Sequence, residues 1–223
     1  KSSPRRTRTD GIYTSYMYGE DKQTVHVIMP DLRWNRDALN HVSELEYYTK
    51  RKLNNQGPYS PTEVKGASML GEAQWQSLEQ ELKKPAAIKL IASSLQLLPD
   101  FTGWESWANF LEDRNRLFAL IKKHQVNGVI IIRGDTHWGE ISKYQQNLDY
   151  PLIEMTSSGL TEKWKDVSPN KHRVGDYTHN VNYGDLSIDW QQADPAISLK
   201  LKGIDGKVIM QSAFSLSSIS PYK

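Results

Sequence analysis

Apolar positions in this chain gather into short β-branched or aromatic runs, interrupted by two stretches where they recur at helical spacing. The longest run, Val129 to Ile132, is opened by Gly128 and closed by Arg133 and Gly134. A run of that length bounded by glycine predicts a strand buried on both faces, and with it an α/β or layered sandwich architecture. Upstream, Gly11 to Gly19 alternates aromatic and small residues and closes on the acidic turn Glu20-Asp21. Thr24 to Met29 follows as its hairpin partner. From about Asn35 to Pro61 the periodicity is weak and a Gly57-Pro58 breaker intervenes, so this segment reads as a long excursion carrying one short helix.

Leu70, Trp75, Leu78 and Leu82 define an amphipathic helix over Gly71 to Lys84, with Lys83 and Lys84 at the end the helix dipole favours and Pro85 as the stop. Ile88 to Ser94 predicts a strand, and Glu112 to Lys123 a second helix with Leu117, Leu120 and Ile121 on its apolar face. Leu152 to Gly159 is a further strand, residues 160–180 a polar loop, and Tyr183–Trp190, Ile197–Lys202 and Val208–Leu216 a closing set of three strands. Asp205-Gly206 is a hairpin signal between the last two. Helices between buried strands, with an antiparallel tail, fit a mixed sheet or a two-sheet sandwich flanked by helices.

The composition is that of a globular protein: 223 residues, 38% hydrophobic, 24% charged, with mean hydropathy −0.64. A net charge of +2 is too mild to argue for nucleic acid or a membrane surface. The short basic cluster Arg5, Arg6 and Arg8 reads as a solvated terminus. The chain has no cysteine, which rules out disulfides and thiolate metal sites. No apolar run reaches membrane-spanning length and no signal peptide is visible. Lys1 is not a natural start, so the chain is expected to be processed or part of something longer.

Candidate chemistry sits where the central run ends. Gly134 permits a sharp turn, and Asp135 and His137, two apart, project the same way if extended geometry continues. A carboxylate and an imidazole at a strand end form half of a divalent-metal site, while a capping Asp and a surface His are the plainer alternative. Glu140 is either an orienting partner of His137 or a strand-exit charge. Arg133 faces phosphate or, more plainly, makes a surface salt bridge. Trp104 and Trp107 pack over the strand ends or form an aromatic rim on a pocket. Arg114 and Arg116 are expected to pair with acids on the helix surface, and Asp31 and Arg33 to brace one another. Ser157, Ser158 and Gly159 read as a tight turn, since no Gly-x-Ser-x-Gly elbow surrounds them. His26, His41 and His124 read as structural or exposed, and Gly175-Asp176 and Gly184-Asp185 as turns.

Taken in order, Gly71-Glu72 with Gln74-Trp75, Ser93-Ser94, Gly103-Trp104-Glu105-Ser106-Trp107 with Asn109-Phe110, Gly134-Asp135-Thr136-His137, Glu154 to Gly159, and Asn182-Tyr183-Gly184 closely resemble the C-terminal half of the alkaline phosphatase D (PhoD-like) family of metallophosphoesterases. The resemblance runs from about Gly11 to Trp190. It implies part of a calcineurin-like sandwich, two mixed sheets flanked by helices, with a metal cluster at the strand ends. It also implies hydrolysis of phosphoester bonds, phosphomonoesters and phosphodiesters among them, and export to a periplasmic or extracellular compartment. By that match Asp135 and His137 are the metal ligands. Iron and calcium are the metals the resemblance suggests, and manganese or zinc suit the same ligand types.

One departure matters as much. The family's upstream metal-ligand motifs are not found, and the stretch Trp34 to Asp37 does not replace them. The whole chain, residues 1–223, therefore reads as the C-terminal portion of the domain, with an N-terminal half expected on the same polypeptide or a partner chain. A lone Asp and His are too few ligands for a stable two-metal site. The alternative class is a non-catalytic binding module or a pseudo-enzyme remnant.

Overall fold

In the computed structural model, which describes residues 7–222, the Val129–Ile132 run forms the middle strand of a seven-stranded sheet. In chain order the elements are β1 (Thr14–Tyr18), β2 (Val25–Met29), β3 (Asn40–His41), α1 (Glu44–Glu46), β4 (Tyr59–Ser60), α2 (Glu72–Lys83), β5 (Ile88–Ser93), α3 (Leu111–Lys123), β6 (Val129–Arg133), β7 (Gly139–Tyr144), β8 (Leu152–Ser157), β9 (Arg173–Thr178), β10 (Asn182–Asp189), β11 (Ala196–Gly203) and β12 (Val208–Ser215). The large sheet runs β1-β2-β5-β6-β8-β7-β9, and β10-β11-β12 make a second sheet. Strands β2, β5, β6 and β8 run parallel to one another, while β1 pairs antiparallel with β2, β7 with β8, and β9 with β7. The architecture is a mixed α/β fold, as the hydrophobic pattern predicts.

The period of two along each strand assigns the faces. His26 and Ile28 on β2 and Ile91 and Ser93 on β5 look toward the helices. His26 Nε2 lies 3.0 Å from Glu81 of α2, and Trp107 Nε1 donates to Ser93 Oγ at 3.2 Å. The opposite face of β7 and β8 carries the second sheet, where β10 comes so close that a Cβ on Gly184 would sit 2.9 Å from Met155 Cε. That second sheet does not cover the whole face. Over β1, β2, β5 and β6 the residues Val27, Leu90, Ala92 and Ile132 are half-buried, and Tyr16, Tyr18 and Met29 are exposed.

The predicted helices and seven of the eight predicted strands fall within a few residues of their expected bounds, and the eighth, Gly11–Gly19, shortens to Thr14–Tyr18. The 35–61 excursion holds one short helical stretch, α1 continuing through a π-helical segment Tyr47–Arg51 and a 3-10 turn Lys52–Asn54. Strands β7 and β9 were not expected. The former is buried through Glu140 and Ser142, polar residues that hide the apolar alternation; the latter is a charged edge strand inside the supposed polar loop. Gly175-Asp176 and Gly184-Asp185 lie within β9 and β10, which corrects their reading as turns. Arg5 and Arg6 lie outside the described residues; Arg8 stacks over the Tyr13 ring at 4.4 Å.

Candidate functional site

Strand β6 delivers Arg133 into the interior and then releases the chain into a loop. Extended geometry does not continue there: the backbone turns left-handed at Asp135 (φ 78°) and again at His137 (φ 61°) rather than at Gly134. Left-handed backbone costs a residue with a Cβ free energy, so the surroundings must impose it. Three contacts do so. The His137 N–H donates to Ser158 Oγ at 2.6 Å, the His137 carbonyl accepts from Trp164 N at 3.1 Å, and the Trp138 carbonyl accepts from Ser158 N at 3.3 Å. The 158 turn is thus a brace for the loop, in line with its reading as a turn and not a nucleophile.

Beneath the loop lies a buried ionic cluster. Arg133 is 5% exposed, which overturns its assignment to a surface salt bridge. Its Nε donates to Thr156 Oγ1 at 2.6 Å, its Nη1 to the Gly134 carbonyl at 2.6 Å, and its Nη2 to Thr136 Oγ1 at 2.9 Å. Glu154, fully buried, lies 3.5 Å from Nε and accepts the N–H groups of Leu97 and Leu98 at 2.9 and 3.0 Å. Burial lowers the Arg133 pKa to about 10 against the pull of the surrounding acids, and burial raises that of Glu154. Glu140 is also fully buried and accepts from Gln96 at 2.9 Å and Arg173 at 2.6 Å. Those bonds lead away from His137, so Glu140 is neither its orienting partner nor an exposed strand-exit charge.

Above the loop opens a cleft of about 390 Å³ lined by Asp135, Thr136 and His137 together with Arg33, Tyr59, Trp104, Glu105, Trp138 and Trp164. Arg33 Nη1 meets Glu105 at 2.6 Å and Nη2 meets Asp135 at 3.4 Å, while Arg36 joins Glu105 at 3.1 Å. The Arg33 side chain therefore does not brace Asp31. Burial pushes the Asp31 carboxyl up, but the backbone N–H groups of Ile12, Arg33 and Trp34 together hold it below its usual range. Trp104 lines the cleft, with Trp164 edge-on at 5.8 Å. Trp107 does not reach it and packs against Trp75 in the core.

Of the remaining expectations, Arg116 pairs with Glu72 at 2.8 Å on the surface, but Arg114 is buried against the Pro99 carbonyl and Asp100. His26 is a core residue, and His124 meets Glu79 at 2.6 Å. Tyr59, Trp138 and Trp164 line the cleft without having been singled out in the sequence, and Ser158, read there only as part of a turn, also braces the loop. Trp164 carried a signal, an indole in an otherwise polar segment. Tyr59 carried none, since it reaches the cleft from 76 positions upstream of Asp135 (135 − 59).

Asp135 and His137 are two donors, and among the described residues no three His, Asp or Glu side chains come together in a group that could hold a metal ion. The donor set of this chain alone does not fit a metal centre.

The family model for the PhoD-like phosphatase matches residues 2–197. The chain belongs to the PhoD-like phosphatase family. Solved structures that share its fold include the following two. One is a structure of PhoD, at TM-score 0.58 and 14% identity, covering 92% of this chain and 40% of that one. The other is GAP50, the anchor in the inner membrane complex of Plasmodium, at TM-score 0.54 and 12% identity, covering 92% of this chain and 55% of that one. The chain thus spans about half or less of the structures it matches. No curated protein matches its sequence.

Proposed function

We propose that this chain is the C-terminal part of a metal-dependent phosphoric ester hydrolase and supplies Asp135 and His137 as two ligands of a metal centre completed by further polypeptide. The observation that carries the reading is the loop itself. Two residues with metal-binding side chains are held in costly left-handed backbone at the mouth of a cleft, in a chain of this family. Metal ions, iron and calcium by the resemblance or manganese or zinc by ligand type, belong to the completed centre. The substrate is a phosphoester, and the half-exposed Arg33 stands beside Asp135 where an anionic ester oxygen would be met. The additional polypeptide is the N-terminal half of the domain, on the same chain or a partner. Export is the matching compartment; among the described residues no helix is long and apolar enough to cross a membrane.

A second reading, a non-catalytic binding module or pseudo-enzyme remnant, draws on the two-donor count and on the anchor role stated for GAP50. The coding sequence upstream of Lys1 separates the two, because only the first requires acidic metal-ligand motifs there. In the complete polypeptide, Asp135→Asn should cut hydrolysis of a chromogenic phosphodiester by more than about 100-fold. Unchanged turnover removes the ligand assignment, and a normal enzymatic rate from the isolated chain removes the missing half.

A further inference from the structure

The cleft beside Asp135 and His137 has walls of an unusual kind. Tyr59, Trp104, Trp138 and Trp164 form them, and no aliphatic side chain contributes. Some polar groups nearby are already engaged: Glu105 holds Arg33 and Arg36, and Thr136 Oγ1 accepts from Arg133, whereas the indole N–H groups of Trp104 and Trp138 have no partner among the described residues. What the cleft still offers a ligand is aromatic surface, with one half-exposed guanidinium at its edge. A fatty acyl chain would find no aliphatic channel here. A flat aromatic ring has complementary faces and edges to meet. The volume of about 390 Å³ admits such a ring.

We propose that this cleft is the subsite for a planar aromatic group esterified to phosphate, with the phosphoryl end toward Asp135, His137 and Arg33. The proposal rests on the phosphoester-hydrolase reading and names the substrate class for that same site. Trp164 makes the connection physical, since its backbone N–H is bonded to the His137 carbonyl at 3.1 Å. A ring seated against Trp164 therefore packs against the segment that holds the candidate metal-binding loop in place. Trp164 is 40% exposed, so it can be replaced without opening the core.

The test uses phenylphosphonate and methylphosphonate, titrated into the chain and followed by the side-chain N–H resonances of its seven tryptophans. Phenylphosphonate should move the signals of Trp104, Trp138 and Trp164 and leave Trp75 and Trp190 in place, whereas methylphosphonate should move none of the three. Trp164→Leu should weaken phenylphosphonate binding about 10-fold, with the remaining indole signals still dispersed as in the parent. Equal responses to both phosphonates, or shifts confined to other tryptophans, overturn the subsite. In the complete polypeptide, Trp164→Leu should raise KM about 10-fold more for an aryl phosphodiester than for a dialkyl ester. Parallel losses on both esters overturn the subsite while leaving the hydrolase reading intact. Ring binding without any hydrolysis by the complete polypeptide overturns the hydrolase reading instead.

Discussion

His137 adopts a backbone conformation that its side chain makes costly, and so does Asp135. Left-handed backbone costs a residue with a Cβ roughly 1–2 kcal/mol, from which the greater entropy a glycine loses on folding must be subtracted. His137→Gly should therefore stabilise the fold by about 0.5–1 kcal/mol in urea titrations while removing the imidazole. A destabilised variant would show that the ring packs for stability and that the strain argument is misplaced. Arg133 predicts the opposite sign. Arg133→Met leaves Glu154 buried without its ionic partner and frees the Gly134 carbonyl, so a loss of about 3–5 kcal/mol is expected in the same assay. Asp135 and His137 were legible as candidates from the Gly-Asp-Thr-His spacing. Their backbone geometry was not, because it is imposed by Ser158 and Trp164, 21 and 27 positions downstream of His137 (158 − 137 and 164 − 137). Nor could sequence alone reveal that Arg133 turns inward, since a charge after an apolar run can serve either side.

The two long helices are joined by charge as well as by apolar packing. Glu79 of α2 accepts from Lys123 at 3.1 Å and lies 2.6 Å from His124 Nε2, at the C-terminal end of α3. The His124 hydrogen bond, then that of Lys123, lowers the Glu79 carboxyl from 4.5 to about 2. A carboxyl depressed in the folded state contributes stability that is complete above its unfolded value and is lost as pH falls toward its folded one. The contribution should accordingly fade between about pH 4.5 and about 2. Glu79→Gln should lower the urea midpoint at pH 6 and flatten its decline across that window, read by circular dichroism. An unaltered slope would mean that the contact does not persist in solution. Both helices were visible in advance because their apolar residues recur at helical spacing and lysines mark their ends. Strands β7 and β9 were invisible for opposite reasons, one buried through hydrogen-bonded polar residues and the other an exposed charged edge.

At the scale of the molecule, the sheet is finished on one face and unfinished on the other. Parallel strands are ordinarily covered on both sides, and here the helices cover one face while the second sheet reaches only part of the other. The open part carries Tyr16, Tyr18 and Met29 exposed beside half-buried Val27, Leu90, Ala92 and Ile132. It continues through Ser93, Ser94 and Gly134 to the candidate site. Polypeptide that completes the ligand set from that side would cover the apolar face as well. Alone, the chain should hide this surface by self-association, and Tyr16→Lys with Met29→Lys should reduce it in sedimentation velocity. In the complete polypeptide the same pair should instead destabilise, by about 1.5–3 kcal/mol for each side chain that is fully covered. The opposite signs make the comparison decisive. If the double variant leaves the isolated chain's sedimentation unchanged and costs the complete polypeptide nothing, the face is not covered by the further polypeptide proposed above.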